Sequence, residues 1–173
     1  MASTTFSGPV VSTGGFTGAV TGAVTGNVTG SVLATTPVNV TTSPLTVTQA
    51  THGGRTVTLN LATGITATLP AASGTGTIYR FVIGTAITSN TTIIKVANAS
   101  DTMTGTAYVV SDTAAAVLGY RTGSTDDTIT MDGSTKGGLK GDIIELVDVA
   151  TNLFSVLVHS AATGTEATPF SAT

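Results

Sequence analysis

The acidic side chains are the first candidates for chemistry, because paired carboxylates act as general acid and base and clustered carboxylates bind hard cations. Asp142, Glu145 and Asp148 follow one another at intervals of three residues in a segment that alternates like a β-strand. Successive side chains of a strand point to opposite faces, so Asp142 and Asp148 are expected on one face and Glu145 on the other. The three carboxylates therefore do not converge as a catalytic acid and base.

A second acidic group, Asp126, Asp127 and Asp132, offers oxygen ligands for a calcium ion held between two loops. The order of these ligands is not that of an EF-hand, and Asp132 precedes a glycine in a strong turn signal. We interpret the three as turn-forming aspartates. His52 and His159 are far apart in the chain and lack the spacing of metal ligands, which favours structural roles. The sequence thus predicts no metal site and no cofactor.

Motifs for a nucleophile or a bound phosphate are missing. The chain has no cysteine, and none of its serines lies in a G-x-S-x-G turn. The glycine-rich residues 137–141 have the composition of a phosphate-binding loop, but no helical pattern follows them to supply an N-terminal dipole. We predict a loop that leads into a strand at Ile143, and a protein that is not an enzyme.

Composition restricts the partners. Only 9% of the 173 residues are charged, the net charge is -3, and the six lysines and arginines are scattered. An average soluble domain has about 25% charged residues, and a nucleic-acid interface has clustered basic ones. Mean hydropathy is high, at +0.40, yet no apolar run approaches the roughly 18 residues of a membrane span. We therefore predict neither a nucleic-acid nor a membrane partner.

Residues 37–173 have the pattern of many short strands separated by Gly, Asn, Asp and Pro. Residues 78–83 and 93–97 are apolar on both faces and are predicted as central strands, whereas residues 148–152 are predicted as a hairpin connection. The one helix candidate is a single turn at residues 112–118. The predicted fold class is all-β, a jelly-roll-like sandwich or barrel, preceded by an extended N-terminal arm at residues 1–36.

The arm contains four copies of a Thr-Gly-x-Val unit at residues 17–32. In an extended conformation the valines and glycines share one face, and the 16 residues span about 53 Å, which is longer than a small domain. The valine face must then be covered by another chain. The predicted contact residues are Phe6, Phe16, Val20, Val24, Val28 and Val32. A flexible Gly/Thr linker that becomes ordered only on assembly stays open as an alternative.

Several segments resemble small virion structural proteins of tailed bacteriophages. They are FSGPV at 6–10 with the repeats after it, ATGITATLPAA at 62–72, YRFVIG at 79–84, IKVAN at 94–98, DTITMDGS at 127–134, GLKGD at 138–142 and NLFSV at 152–156. The resemblance implies a β-rich protein on the outer surface of a capsid, namely a homotrimeric decoration or cement protein that binds the major capsid protein. It also implies that the arm grips neighbouring subunits by strand addition.

Two other functions stay open. The first is a host-recognition fibre with the arm as a trimeric shaft, for which the expected mark is an exposed aromatic or carboxylate cluster on loops at the distal end. The second is a virion enzyme that cleaves glycans, which needs two acidic residues facing one cleft. Its only candidates are Asp126, Asp127, Asp142 and Glu145.

Overall fold

The structure, a computed structural model, describes residues 36–113 and 116–173. These ranges contain twelve strands: β1 (Val38–Val40), β2 (Leu45–Thr46), β3 (Thr56–Leu59), β4 (Thr66–Thr68), β5 (Ile78–Ile83), β6 (Thr92–Lys95), β7 (Thr102–Val110), β8 (Val117–Arg121), β9 (Thr128–Met131), β10 (Ile143–Ala150), β11 (Leu153–Ala161) and β12 (Phe170–Ser171). The same ranges hold one helix, α1 (Gln49–His52). The predicted contacts Phe6, Phe16, Val20, Val24, Val28 and Val32 lie outside the described residues.

The strands form two sheets that pack face to face. The large sheet has seven strands in the order β1-β3-β5-β10-β11-β7-β8, and the small sheet has five in the order β12-β9-β6-β4-β2. The predicted all-β sandwich is confirmed. Strands β5 and β6, which were predicted to be central, have neighbours on both sides in their sheets. Only one face of each strand is buried, however: the outward residues of β5 are exposed or half-buried, and those of β6 are half-buried.

The first six strands alternate between the sheets. Strands β1, β3 and β5 pair in parallel in the large sheet, and β2, β4 and β6 pair in parallel in the small one. The chain therefore winds around the core, and each turn adds one strand to each sheet. Gly64 makes one of these crossings at φ +82°, where a Cβ would overlap the carbonyl oxygen of Thr91.

The second half of the chain extends both sheets mainly by antiparallel pairing. Strand β10 joins β5 and β11 antiparallel, and β9 joins β6 and β12 in the same sense. Strand β7 then pairs in parallel with β11, and β8 closes the large sheet antiparallel to β7. The predicted hairpin at residues 148–152 is confirmed, with a bulge between Asp148 and Ala150.

The core lies between rows of inward side chains that run across the strands. One row crosses the whole large sheet and contains Val38, Val57, Phe81, Ile144, Val158, Ala107 and Tyr120. The facing row of the small sheet contains Leu45, Ala67, Ile94, Ile129 and Phe170. Most of these side chains are buried. Because the side-chain period of a strand is two, the residues between them point outward and form the two surfaces of the sandwich.

The predicted helical turn at residues 112–118 is wrong. Val117 and Leu118 belong to β8, while Ala114 and Ala115 lie outside the described residues. Strand β8 gains hydrogen bonds from β7, which a single isolated turn does not offer. The observed helix, α1, begins instead after Thr48, whose side chain accepts a hydrogen bond from the Thr51 N–H.

Candidate functional site

The carboxylate of Asp148 anchors the loop at residues 73–75. Its Oδ1 accepts hydrogen bonds from the backbone N–H groups of Ser73 at 2.9 Å and Gly74 at 2.7 Å. Its Oδ2 accepts from the Thr75 N–H at 3.1 Å and the Thr75 hydroxyl at 2.7 Å. Burial disfavours the charged form, but these hydrogen bonds outweigh it and hold the pKa of Asp148 below its ordinary value. The ionised carboxylate of Asp148 therefore stabilises the loop at residues 73–75.

Asp142 has the same role in the glycine-rich loop. Its Oδ2 accepts from the N–H groups of Gly138 at 2.7 Å and Leu139 at 3.0 Å, and its Oδ1 accepts from the Ala161 N–H at 3.0 Å. Burial outweighs these bonds and raises the pKa of Asp142. The loop at 137–141 does cradle an anion, but the anion is the side chain of the strand that follows. Its prediction as a loop leading into β10 is confirmed.

Two aspartates of the second acidic group, Asp126 and Asp132, form turns as predicted, whereas Asp127 accepts hydrogen bonds from the Thr128 hydroxyl and from the N–H and hydroxyl of Thr173. Asp132 accepts from the N–H groups of Ser134 and Lys136 and from the Thr135 hydroxyl, at 2.7 to 2.9 Å. Burial opposes ionisation of Asp132, yet these bonds prevail and lower its pKa. Asp126 accepts from the Gly123 N–H at 2.8 Å. In the part of the chain that the structure describes, no three acidic or histidine side chains come together as a metal site.

The predicted separation of the acidic residues on β10 is confirmed. Asp142 and Asp148 are buried, whereas Glu145 is half-buried on the outer face of the large sheet. The two histidines are equally separate. His52 is buried in α1, where its Nδ1 accepts a hydrogen bond from the Thr48 N–H at 3.0 Å. His159 is exposed on the outer face, with its ring centre 5.7 Å from that of Tyr108.

The outer face of the large sheet carries the exposed apolar side chains. Six large hydrophobic residues of the described ranges are exposed by 37% to 60%, and five of them point outward from this face: Ile78, Tyr108, Val110, Val117 and Leu157. The sixth, Val149, lies in the bulge of β10 in the same sheet. Exposed apolar side chains gathered on one surface mark an interaction site, whereas scattered ones do not.

The outer face of the small sheet has a different character. Its outward positions include Thr66, Thr68, Lys95 and Thr130, with Ile93 half-buried among them. Threonine hydroxyls hydrogen-bond to water and fit an exposed sheet surface. The sandwich therefore has one surface rich in hydroxyl groups and one on which exposed apolar side chains lie among charged and polar ones such as Arg80, Glu145 and Thr106.

Three neighbouring depressions lie at or beside the outer face of the large sheet, with volumes of about 460, 260 and 170 Å³. The first two share Gly54 and Ile78, and the second and third share Arg80 and Glu145. Arg80 and Glu145 are also direct partners across β5 and β10. The depressions thus offer both signs of charge beside the apolar side chains of Ile78 and Leu157, a combination that suits a second protein surface.

No family model, curated protein or solved structure matches this chain. No helix in the described ranges is long and apolar enough to cross a membrane.

The candidate site is the outer face of the large sheet, because the exposed apolar side chains lie there. This site was not predicted from the sequence. The sequence does contain apolar residues at outward positions, such as Leu157 between the inward Val156 and Val158. The strand register is needed to tell which of these outward residues lie together on one face.

Proposed function

We propose that this protein is a structural component of a tailed-bacteriophage virion, namely a homotrimeric capsid decoration or cement protein that binds the major capsid protein. The assignment to a virion rests on the segments that resemble small virion proteins. The assignment to assembly, as opposed to catalysis, is supported by the apolar outer face of the large sheet. Among the described residues, no three acidic or histidine side chains come together as a metal site.

The outer face supplies the driving force for contacts between copies. Fully burying a Val, Leu, Ile or Phe side chain is worth about 1.5–3 kcal/mol. Ile78, Leu157, Val110 and Val117 are 37% to 60% exposed, so covering each adds roughly 1 kcal/mol. The adjacent charges Arg80 and Glu145 fix the orientation of a partner, since each disfavours a like charge opposite it.

The aspartates that anchor loops suit a protein that works outside a cell. Asp132, Asp142 and Asp148 each tie a loop to the sandwich through at least three hydrogen bonds. Such loops resist local opening, which is where proteolysis begins. The absence of cysteine from the sequence removes the thiol oxidation that inactivates exposed proteins.

Size-exclusion chromatography with light scattering tests the assembly. The full chain is expected at three times its monomer mass of 17.0 kDa. Leu157→Asp places a charge on the apolar face and is expected to shift the protein towards the monomer. Thr68→Asp places the same charge on the hydroxylated face, next to Lys95, and serves as the matched control. A monomeric wild type, or equal masses for both variants, would contradict the proposal.

The position in the particle is tested by the copy number relative to the major capsid protein in dissociated virions. A ratio within a few-fold of parity is expected for a decoration protein. A few copies per hundred would instead favour the host-recognition fibre. That alternative has one structural argument, since exposed Tyr108 and His159 lie on the same face as Glu145. They lie on a sheet surface, however, and not on the distal loops that a receptor-binding tip uses.

A further inference from the structure

The four edge strands of the sandwich differ in how they are protected. Strands β1 and β8 are the edges of the large sheet, and β12 and β2 are those of the small one. Three of these edges have only two or three residues, and each starts directly after a proline: Pro37 before β1, Pro44 before β2 and Pro169 before β12. Short length and proline are two ways in which proteins prevent an edge from pairing with another chain.

Strand β8 has neither protection. It has five residues, Val117–Arg121, none of which is proline. Thr122 donates from its N–H to the Gly105 carbonyl, and Ser111 donates to the Ala116 carbonyl. Residues of an antiparallel pair bond alternately, so Leu118 and Tyr120 face β7 with their backbone groups. The backbone groups of Val117, Gly119 and Arg121 therefore point away from β7, and no described residue pairs with them.

Gly119 has no explanation within the described fold. A Cβ at this position would meet no atom within 4 Å, and its φ does not lie in the left-handed region. Glycine weakens a strand, and in a strand interior it often marks the close approach of another backbone. Gly105 in the adjacent β7 is different, because a Cβ there would overlap the carbonyl oxygen of Val156.

The side chains around the free edge are apolar. Three of the exposed hydrophobic residues lie on β7 and β8: Tyr108, Val110 and Val117. The outer face of β8 places Val117 and Gly119 two residues apart, and the repeat at residues 17–32 has the same alternation of Val and Gly. An added strand from the repeat sets Val beside Val117 and Gly beside Gly119. The ring of Tyr108, the cross-strand partner of Gly119, then covers the glycines.

We propose that β8 is the acceptor edge for the Thr-Gly-x-Val segment of a second copy of this chain, which adds to the large sheet as an eighth strand. This inference rests on the proposed function and names the surface that receives the arm. Donor and acceptor occur in every copy, so the contact is heterologous and closes into a ring in a trimer. Main-chain hydrogen bonds supply affinity, and the matched Val and Gly positions set the register.

Chain length limits which part of the repeat could reach β8 of its own chain. The described chain begins beside β1, at the edge opposite β8. Six strand spacings separate these edges, which is about 29 Å. Val32 is four residues before Thr36, and four residues reach at most about 14 Å, so Val32 is too close to β1. Val20 is far enough from Thr36 to span that distance, and a cross-link between unlike tagged chains therefore distinguishes a second copy from the same chain.

Cysteine cross-linking tests the contact without disulfides from native cysteines, because the sequence has no cysteine. Chains with Val117→Cys are co-expressed with differently tagged chains carrying Val20→Cys, Val24→Cys, Val28→Cys or Val32→Cys. At least one pair is expected to form a disulfide dimer of unlike chains under mild oxidation. Asn39→Cys, on the exposed edge β1, replaces Val117→Cys in the matched control. No dimer with any arm cysteine, or equal yields with the control, would overturn the inference.

Backbone substitution gives a second test. Gly119→Pro removes an N–H that β7 does not use, so the domain is expected to keep its circular dichroism spectrum while association weakens at least about tenfold. Gly119→Ala keeps the N–H but adds a Cβ where the second backbone approaches, so it is expected to weaken association less than Gly119→Pro does. If the trimer forms but Gly119→Pro has no effect and no cross-link appears, this inference fails and the proposed function survives. If the wild type is monomeric, both fail.

Discussion

The Asp148→Asn substitution tests whether buried aspartates hold the loops in place. The remaining amide oxygen can keep the bonds from Ser73 and Gly74, but the new NH2 group faces the Thr75 N–H that Oδ2 accepts at 3.1 Å. One orphaned backbone donor costs about 1–3 kcal/mol, and the two kept bonds each lose roughly 1 kcal/mol of charge assistance. We expect a loss of about 3 kcal/mol in the free energy of unfolding, or about 10 °C in Tm.

The assay is urea unfolding followed by circular dichroism at pH 7, 4 and 3. The pKa of Asp148 is lowered by folding, so its ionised form stabilises the protein above the unfolded value of about 3.9. That contribution is lost as the pH falls through the folded pKa, and the gap between wild type and variant should therefore narrow in acid. Asp126→Asn makes the same charge change at a carboxylate that accepts only the Gly123 N–H. A gap that is absent at pH 7, or constant with pH, would refute the role of Asp148.

Four further substitutions have defined outcomes. Gly105→Ala should lower the free energy of unfolding by about 1–3 kcal/mol, because the added Cβ overlaps the Val156 carbonyl oxygen. Gly119→Ala should change the free energy of unfolding by less than about 0.5 kcal/mol. Equal losses for the two variants would show that β8 is packed differently. Phe154→Ala, at a side chain with 0% exposure, should cost about 3–5 kcal/mol by urea unfolding, and a smaller loss would mean a looser core. Leu157→Asp should leave the monomer's Tm within a few degrees while it weakens association, and a large drop in Tm would place Leu157 in the core.

The local features of the fold were predictable from the sequence. Short apolar segments between turn residues predicted β5 and β6, and local signals predicted the turn at Asp132 and the hairpin connection at residues 148–152, because such signals depend on a few adjacent residues. The separation of Glu145 from Asp142 and Asp148 followed from the strand period of two. The helical turn at 112–118 failed because its residues gain more from pairing with β7 than from one turn of helix.

The pairing of the strands was decided by the tertiary structure. The parallel winding of β1 to β6 between two sheets depends on contacts between residues about twenty apart, and the alternation of one strand does not specify its neighbours. The group bound by the glycine-rich loop at residues 137–141 could not be predicted for the same reason. Its composition indicated an anion site, but only the folded chain shows that Asp142 fills it.

The sequence by itself determined that this is a β-rich chain of low charge without a recognisable catalytic motif, since composition and alternation are properties of the residues alone. Only the tertiary structure decided which outward residues meet on one surface and which edge stays unprotected. Ile78, Tyr108 and Leu157 come from three strands, and they share a face because β10 and β11 set the register between them. A surface depends on register, and register is fixed by the packing of the whole sandwich.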